Sequence, residues 1–150
     1  MQPLTRLILL GTGSGFLFCL DQTLKYVART NPHKDLMLFP GFGWEFYANP
    51  GIAFGIPFPQ AVLLVLTPIV LLGLLTLLLA YGRKEPIHGA ALLLIFFGAL
   101  SNLIDRFLFE VTVDYFRIFT SIINLADLMI VTGIFLLLFT EKQKGVSHTT

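Results

Sequence analysis

The sequence has little charge. Asp, Glu, Lys and Arg make up 13% of its 150 residues, whereas hydrophobic residues make up 55%. Soluble proteins carry about 25% charged residues, so this composition excludes an ordinary soluble protein and indicates an integral membrane protein. The formal net charge is +1, and basic patches with interleaved aromatic residues are missing, so no nucleic-acid partner is predicted. A chain of this length predicts a single domain over residues 1–150.

The residues that usually bind metals or act as nucleophiles are also scarce. Cys19 is the only cysteine, which excludes an internal disulfide, and it ends an apolar run with no histidine nearby. His33 is predicted on the opposite side of the membrane from His88 and His148, and neither an HExxH motif nor paired cysteines are present. We therefore predict no metal and no cofactor. The absence of a GxSxG motif argues against serine catalysis.

Long apolar runs are what the sequence has in abundance. About 20 apolar residues are needed to cross roughly 30 Å of hydrocarbon as a helix. The first run follows Arg6, as in a cleaved signal peptide, but it meets Asp21 without a small-x-small cleavage site. We therefore predict an uncleaved first span. The predicted transmembrane helices lie at about residues 5–25, 61–81, 89–109 and 124–140.

Between the first two spans, the segment 29–60 contains five prolines and many aromatic residues. The prolines exclude a long helix, and the aromatic-rich pieces Leu36–Phe39 and Trp44–Ala48 predict short strands. Non-helical backbone is not tolerated in the lipid-exposed core, whereas aromatic rings favour the membrane interface. The predicted fold is an all-α membrane protein with four transmembrane helices and a small extracytoplasmic β-sheet between helices 1 and 2.

The orientation in the membrane is predicted from the loop charges. Four spans place both termini on one side, and the basic residues divide equally between the two sides. The connection 82–88 is short and dense in positive charge, which favours the cytoplasm. We therefore place both termini in the cytoplasm and the aromatic segment outside. The outer basic residues have possible acidic partners, namely Lys25 with Asp21, Arg106 with Asp105 and Arg117 with Asp114.

The end of the third predicted span carries several polar groups near membrane depth. Asn102, Asp105 and Arg106 are spaced i, i+3 and i+4, so they share one helix face. A charged residue at membrane depth costs roughly 2.5–3.5 kcal/mol, so this face is expected to line a protein interior or an aqueous cavity. Asp105 adjoins Arg106, and Asp21 precedes Lys25 by four residues, so both acids look like positioning groups.

Asp114 and Asp127 are the remaining acids, and a short loop could bring them together at the mouth of the bundle. Asn124, three positions before Asp127, fits a helix N-cap with an acid in the first turn, which explains Asp127 structurally. Two carboxylates that share a proton can also activate water for peptide hydrolysis. A proton- or ion-coupled transporter would use the same intramembrane acids, whereas a non-catalytic membrane scaffold would need neither Asp114 nor Asp127 for its role. The residues alone leave these three functions open.

Five short motifs resemble, in their order along the chain, those of the lipoprotein signal peptidases, the type II signal peptidases of bacteria. The resemblance covers nearly the whole chain, and the order makes it specific, although each motif alone is weak. The motifs are Asp21-Gln22 with Lys25, Asn49-Pro50-Gly51-Ile52-Ala53-Phe54, Gly98-Ala99-Leu100-Ser101-Asn102-Leu103-Ile104-Asp105-Arg106, Val113-Asp114-Tyr115 and Asn124-Leu125-Ala126-Asp127.

The resemblance implies an aspartyl endopeptidase that removes the signal peptide from diacylglyceryl-modified prolipoproteins, cleaving before the lipid-modified cysteine and using no cofactor. It implies Asp114 and Asp127 as the catalytic dyad. It further implies a multi-pass monomer of the bacterial cytoplasmic (inner) membrane, working among membrane lipids with its active site at the outer face. The residues that it implies for substrate binding or dyad support are Asp21, Lys25, Asn49, Gly51, Asn102, Asp105, Arg106, Asn124 and Ala126.

Two features depart from the family's pattern. The stretch between Asp114 and Asn124 is shorter than the family usually has, which predicts that the mobile outer helix found there is reduced or absent. Ile123 stands where the family commonly has an aromatic residue before the asparagine, which is a smaller change in packing.

Overall fold

The computed structural model describes residues 2–52, 56–82 and 84–147. Each predicted span corresponds to one helix, and the two predicted strands are present. Ala53 and Phe54 of the predicted loop motif, Arg83 of the basic connection and His148 lie outside the described residues. The elements are α1 (Pro3–Thr30), β1 (Leu36–Phe39), β2 (Phe42–Asn49), α2 (Gln60–Tyr81), α3 (Pro86–Phe109), β3 (Thr112–Ile118), β4 (Ser121–Ile123) and α4 (Leu125–Ser147).

Within the described residues, three helices are long and apolar enough to cross a membrane: α1 over Leu4–Thr30, α2 and α3. The apolar part of α4 is shorter and covers Leu125–Thr140. Along α2 only Leu63 and Leu71 are buried, so most of its apolar surface faces outward, as expected of a helix that lies against lipid. In contrast, α3 has many buried residues and packs against each of the other helices, so it forms the centre of the bundle.

Glycines allow α3 and α4 to approach each other closely. A Cβ atom at Gly98 would lie 2.6 Å from the carbonyl oxygen of Ala126, and one at Gly133 would lie 2.7 Å from that of Ala91. Both distances are too short for any side chain, so the two backbones touch at these positions, as is typical of helices packed in membranes. The contact at Ala126 brings the polar end of α3 next to the first turn of α4.

The sheet has four antiparallel strands in the order β1-β2-β3-β4. The sequence prediction placed strands only between helices 1 and 2, and it treated the connection between helices 3 and 4, which carries Asp114, only as a short loop. That prediction was incomplete, because β3 and β4 come from this second connection. Thr112–Ile118 contains β-branched and aromatic residues, but its pairing with β2 depends on a partner more than 60 residues earlier in the chain, which a local pattern does not show.

The stretch 115–123 is the end of β3, a turn and β4, so it contains no helix, as its short length predicted. The turn between β3 and β4 contacts the turn between β1 and β2 through a hydrogen bond from the Phe119 amide to the carbonyl oxygen of Gly41. Gly41 has a φ of 81° and Phe119 a φ of 53°. Glycine adopts such a conformation readily, but it is uncommon for a phenylalanine, which is 73% exposed here.

The inner face of the sheet packs on the ends of the helices. Its buried centre consists of Ala28 from α1 with Val113 and Tyr115 from β3. Partly buried apolar side chains surround this centre, namely Leu24, Trp44, Phe46, Phe116 and Leu125. The sheet therefore holds β3, which carries Asp114, directly over the helix ends that carry the other polar residues.

Candidate active site

A buried lysine connects α1 with α3. Lys25 Nζ lies 3.0 Å from Asp21 Oδ2 and 2.9 Å from Asp105 Oδ2, and all three side chains are fully buried. It also donates to Asn102 Oδ1 at 2.8 Å and to Ser101 Oγ at 3.2 Å. Buried charges persist only where partners and hydrogen bonds compensate for lost hydration, and this cluster provides both. The predicted pairing of Asp21 with Lys25 is confirmed.

Two expected ion pairs are wrong. Asp105 pairs with Lys25 rather than with its sequence neighbour Arg106, because adjacent residues on a helix point in different directions. Arg117 pairs with Glu45 on the neighbouring strand rather than with Asp114. This hydrogen-bonded pair lowers the pKa of the Glu45 carboxyl. Arg117 follows Asp114 by three positions on β3, so their side chains lie on opposite faces of the strand.

The two acids of the buried cluster also hold backbone groups. Asp105 Oδ2 accepts a hydrogen bond of 3.1 Å from the amide of Val113, the residue before Asp114. Asp21 Oδ1 accepts one of 3.2 Å from the amide of Ala126, the residue before Asp127. Each candidate catalytic acid therefore follows a residue whose backbone is fixed by a buried carboxylate, consistent with the positioning role predicted for Asp21 and Asp105.

Asp114 is 1% exposed and receives hydrogen bonds on both carboxylate oxygens. Asn49 Nδ2 donates to Oδ2 at 2.9 Å, and Asn124 Nδ2 donates to Oδ1 at 2.6 Å. Burial raises the pKa of the Asp114 carboxyl to about 7, and the charge of Asp127 acts in the same direction. The hydrogen bonds from Asn49 and Asn124, and the charge of Lys25, oppose this rise.

Asp127 lies in the first turn of α4, where its two oxygens have different partners. Oδ1 accepts a hydrogen bond of 2.9 Å from Asn102 Nδ2, and Oδ2 accepts one of 3.4 Å from the backbone amide of Asn124. The Asp127 amide in turn donates to Asn124 Oδ1 at 2.8 Å. This reciprocal arrangement is a capping box, so the structural explanation of Asp127 is confirmed. The capping box uses only Oδ2 of the carboxylate, so Asp127 Oδ1 is the oxygen that contacts Asn102.

Asn124 bonds to both acids. Its side-chain amide donates to Asp114, and its side-chain carbonyl accepts from the backbone of Asp127. The same amide also donates to Asn102 Oδ1 at 3.2 Å, and Asn102 is bonded to Asp127. The two acids therefore belong to one continuous network, which Lys25 joins through Asn102.

A turn between β2 and α2 closes the other side of the site. Asn49 Oδ1 accepts a hydrogen bond of 2.9 Å from the Gly51 amide, so the side chain of Asn49 shapes the turn that follows it. A Cβ at Gly51 would lie 2.0 Å from the carbonyl oxygen of Ile56, so only glycine fits. Arg106 Nη2 reaches the Gly51 carbonyl at 3.4 Å, and its buried Nε has no hydrogen-bond partner within the described part of the chain.

The network contains every residue that the sequence implied for the site. It also contains three residues that belong to the motifs but were given no role at the site. Ser101 Oγ donates to Asp21 at 2.5 Å, Gln22 Nε2 donates to Ser101 Oγ at 2.8 Å, and Tyr115 OH donates to Asp21 at 2.9 Å. The i, i+4 spacing of Ser101 and Asp105 was a usable signal. Tyr115 adjoins Asp114 in its motif, but its contacts with Asp21 and Leu125 depend on where β3 lies.

This arrangement keeps a buried and a half-buried carboxylate in one network while giving them different partners, which is suited to acid–base chemistry. Among residues 2–52, 56–82 and 84–147, no three His, Cys, Asp or Glu side chains are grouped as metal ligands would be. The fold and the site together define a helical membrane protein with an acidic site where its helices meet a small sheet.

The family follows from the sequence comparison. A family profile described as Signal peptidase (SPase) II matches residues 14–141. The chain belongs to this family and is accordingly a peptidase of the membrane.

Named relatives agree with this assignment. The lipoprotein signal peptidase of Moorella thermoacetica is 34% identical over 126 residues, covering 81% of this chain and 84% of that protein. The lipoprotein signal peptidase of Bacillus pumilus is 33% identical over 150 residues, covering 89% of this chain and 94% of that protein. A bacterial membrane enzyme whose structure was solved by the in meso method at 2.3 Å resolution has a similar fold, with a TM-score of 0.82. It is 26% identical in sequence, and the match covers 93% of this chain and 88% of that enzyme's chain.

Proposed function

We propose that this protein is an aspartyl endopeptidase that removes signal peptides from diacylglyceryl-modified prolipoproteins, cleaving before the lipid-modified cysteine. Asp114 and Asp127 are its catalytic dyad. The single observation that carries this proposal is the bonding of Asn124 to both acids, which joins them through one hydrogen-bond network. Family membership supports the substrate class, because the named relatives are lipoprotein signal peptidases.

The mechanism uses one proton shared by the two acids. The ionised carboxylate takes a proton from a water molecule as the water oxygen bonds to the scissile carbonyl carbon, and the protonated acid donates to the carbonyl oxygen. When the resulting diol collapses, the C–N bond breaks, the leaving nitrogen takes the proton held by the acid that had served as base, and the other carboxylate takes the proton released by the diol hydroxyl. A pKa of about 7 for Asp114 suits this exchange, because near neutral pH the carboxyl is poised between its two forms.

The remaining residues of the network position the dyad and the substrate. Asn102 and Asn124 hold the carboxylates of the dyad directly. Arg106 binds the substrate backbone through its buried Nε, which has no hydrogen-bond partner within the described residues, while its Nη2 contacts the carbonyl oxygen of Gly51. The pocket is supported further by Asp21, Lys25, Asn49, Asp105 and Ala126, through the contacts described above.

The position of the site supports the membrane arrangement that belongs to this proposal. All four helices span the inner membrane, both termini lie in the cytoplasm, and the sheet lies at the outer face. Asp114 lies on β3 of the sheet and Asp127 lies at the start of α4, so the peptide bond is held near the membrane surface where water enters. The acyl chains of the substrate remain in the bilayer beside the outward-facing apolar surfaces of the helices. The enzyme works as a monomer in contact with membrane lipids.

The test is cleavage of a synthetic diacylglyceryl-modified prolipoprotein by the full-length protein in liposomes. Asp114→Asn and Asp127→Asn are expected to remain folded and to release no product. Asp35→Asn, which removes an exposed acid outside the network, is the matched control and is expected to cleave normally. Mass spectrometry of the product identifies the new amino terminus as the lipid-modified cysteine.

Normal cleavage by either dyad variant would overturn the assignment of these acids. If the wild-type protein instead moved protons or ions across the liposome membrane and cleaved nothing, the transporter would be the correct function. If it did neither and both dyad substitutions were silent in every assay, a scaffold role would replace the proposal.

A further inference from the structure

The hydroxyl of Tyr115 lies between three elements of the fold. It donates a hydrogen bond of 2.9 Å to Asp21 Oδ1 on α1 and accepts one of 3.0 Å from the Leu125 amide at the start of α4. Tyr115 itself belongs to β3 and is 3% exposed. Burial and the charge of Asp21 raise the pKa of this hydroxyl, so it keeps its proton and remains a donor to Asp21.

The first turn of α4 is held by side chains from α1 and β3 and by its own N-cap residue. The first amides of a helix have no partner within the helix. Here the Leu125 amide donates to Tyr115, the Ala126 amide to Asp21, and the Asp127 amide to the N-cap Asn124. The Leu125 and Ala126 amides are linked through Asp21, because Asp21 Oδ1 accepts hydrogen bonds from both the Tyr115 hydroxyl and the Ala126 amide. This turn is therefore attached both to α1 and to the sheet.

The attachment joins the two elements that carry the acids. Successive side chains of a strand point to opposite faces, so β3 presents Asp114 on one face and Tyr115 on the other. A displacement of α4 relative to β3 would move Asp127 relative to Asp114, and the Tyr115 hydroxyl opposes that displacement. The Tyr115 ring is itself held by the core and lies 5.0 Å from the Trp44 ring between centroids.

We propose that Tyr115 is a positioning residue, whose hydroxyl sets the location of the first turn of α4 and thereby the geometry of Asp127 against Asp114. The proposal rests on the proposed function for its assignment of the dyad. Tyr115 is suited to a clean test, because Tyr115→Phe keeps the ring in the core and removes only the hydroxyl. The variant leaves Asp21 bonded to Ala126 and deprives the Leu125 amide of its acceptor.

The experiment compares Tyr115→Phe with the wild-type protein in liposomes, using the diacylglyceryl-modified substrate. We expect kcat per folded enzyme to fall about tenfold with KM changed less than twofold, since the hydroxyl acts on the dyad and not on the bound substrate. Hydrogen exchange of the amides at 125–127 is expected to become about tenfold faster, with the amides further along α4 unchanged. Tyr26→Phe removes a hydroxyl from an exposed tyrosine of α1 and is the matched control.

An unchanged kcat, or unchanged exchange at 125–127, would overturn the proposal. A rise in KM at constant kcat would also overturn it, because the hydroxyl would then contact substrate. A fall in activity that disappears after correction for the folded fraction would assign Tyr115 a purely structural role. A wild-type protein without peptidase activity would refute the proposed function instead, and the exchange measurement would then decide the attachment of α4 by itself.

Discussion

The side-chain amide of Asn124 lies 2.6 Å from Asp114 Oδ1. The same side chain caps the helix that carries Asp127, so one residue links a strand acid with a helix acid. This relationship explains how acids from different elements are kept in one network. It also allows the helix-capping role of Asn124 to be separated experimentally from its contact with Asp114.

Substitutions at Asn124 are predicted to separate these two roles. Asn124→Ala loses both the N-cap and the donor to Asp114, so we expect a stability loss of about 1 kcal/mol and an activity loss of roughly 100-fold. Asn124→Ser retains a capping oxygen but has no amide to reach Asp114. Thermal unfolding should therefore recover in the serine variant while peptide cleavage stays low. Recovery of activity with serine would show that capping alone is what matters.

The stability of the protein is predicted to fall as the pH rises through 7. The pKa of Asp114 is about 7 in the folded protein and 3.8 in its unperturbed state, so the folded state binds the extra proton between about pH 4 and 7. The stabilising contribution of the Asp114 carboxyl is fully present below about pH 4, decreases as the pH rises, and is lost above about pH 7. The free energy of unfolding changes by up to about 4 kcal/mol over this range. Thermal unfolding from pH 4 to 8 measures it. Asp114→Asn should flatten this dependence, whereas Asp35→Asn should preserve it.

Gly98→Ala is predicted to disturb both the bundle and the site. The added Cβ would lie 2.6 Å from the Ala126 carbonyl oxygen, so α4 must shift at the residue that precedes Asp127. We expect a stability loss of about 1–3 kcal/mol together with reduced peptide cleavage. Gly73→Ala is the matched control, since a Cβ at Gly73 meets no atom within 4 Å. Equal behaviour of the two variants would refute the close contact between α3 and α4.

The outer end of the sheet is predicted to lie in the membrane interface. Leu38 is 75% exposed and Phe119 is 73% exposed, and both lie next to the two turns joined through Gly41. Aromatic and aliphatic side chains at such a position favour the interface over water. A spin label at Phe119→Cys, in a Cys19→Ser background, should be accessible to lipid-soluble oxygen more than to a water-soluble relaxant. A label at Lys34→Cys should show the reverse order, and equal water exposure of both labels would contradict the prediction.

Local features of the chain predicted much of this structure. The length and apolarity of the runs predicted the helices, because a helix satisfies its own backbone hydrogen bonds and needs no distant partner. The prolines and aromatic residues of 29–60 predicted β1 and β2 for similarly local reasons. The i, i+4 pair of Asp21 with Lys25 and the N-cap at Asn124 also follow from spacing within a few residues.

Tertiary structure decided the partners that lie far apart in the sequence. Lys25 gained Asp105 as its second carboxylate, and Arg117 paired with Glu45, because the approach of helices and the register of strands select contacts. Tyr115 reaches Asp21 and Leu125 for the same reason. The sequence by itself thus determined which elements form and which polar residues are available. Only the packing of α3 against α1 and α4, and of the sheet against the ends of α1 and α3, brought those residues into one network.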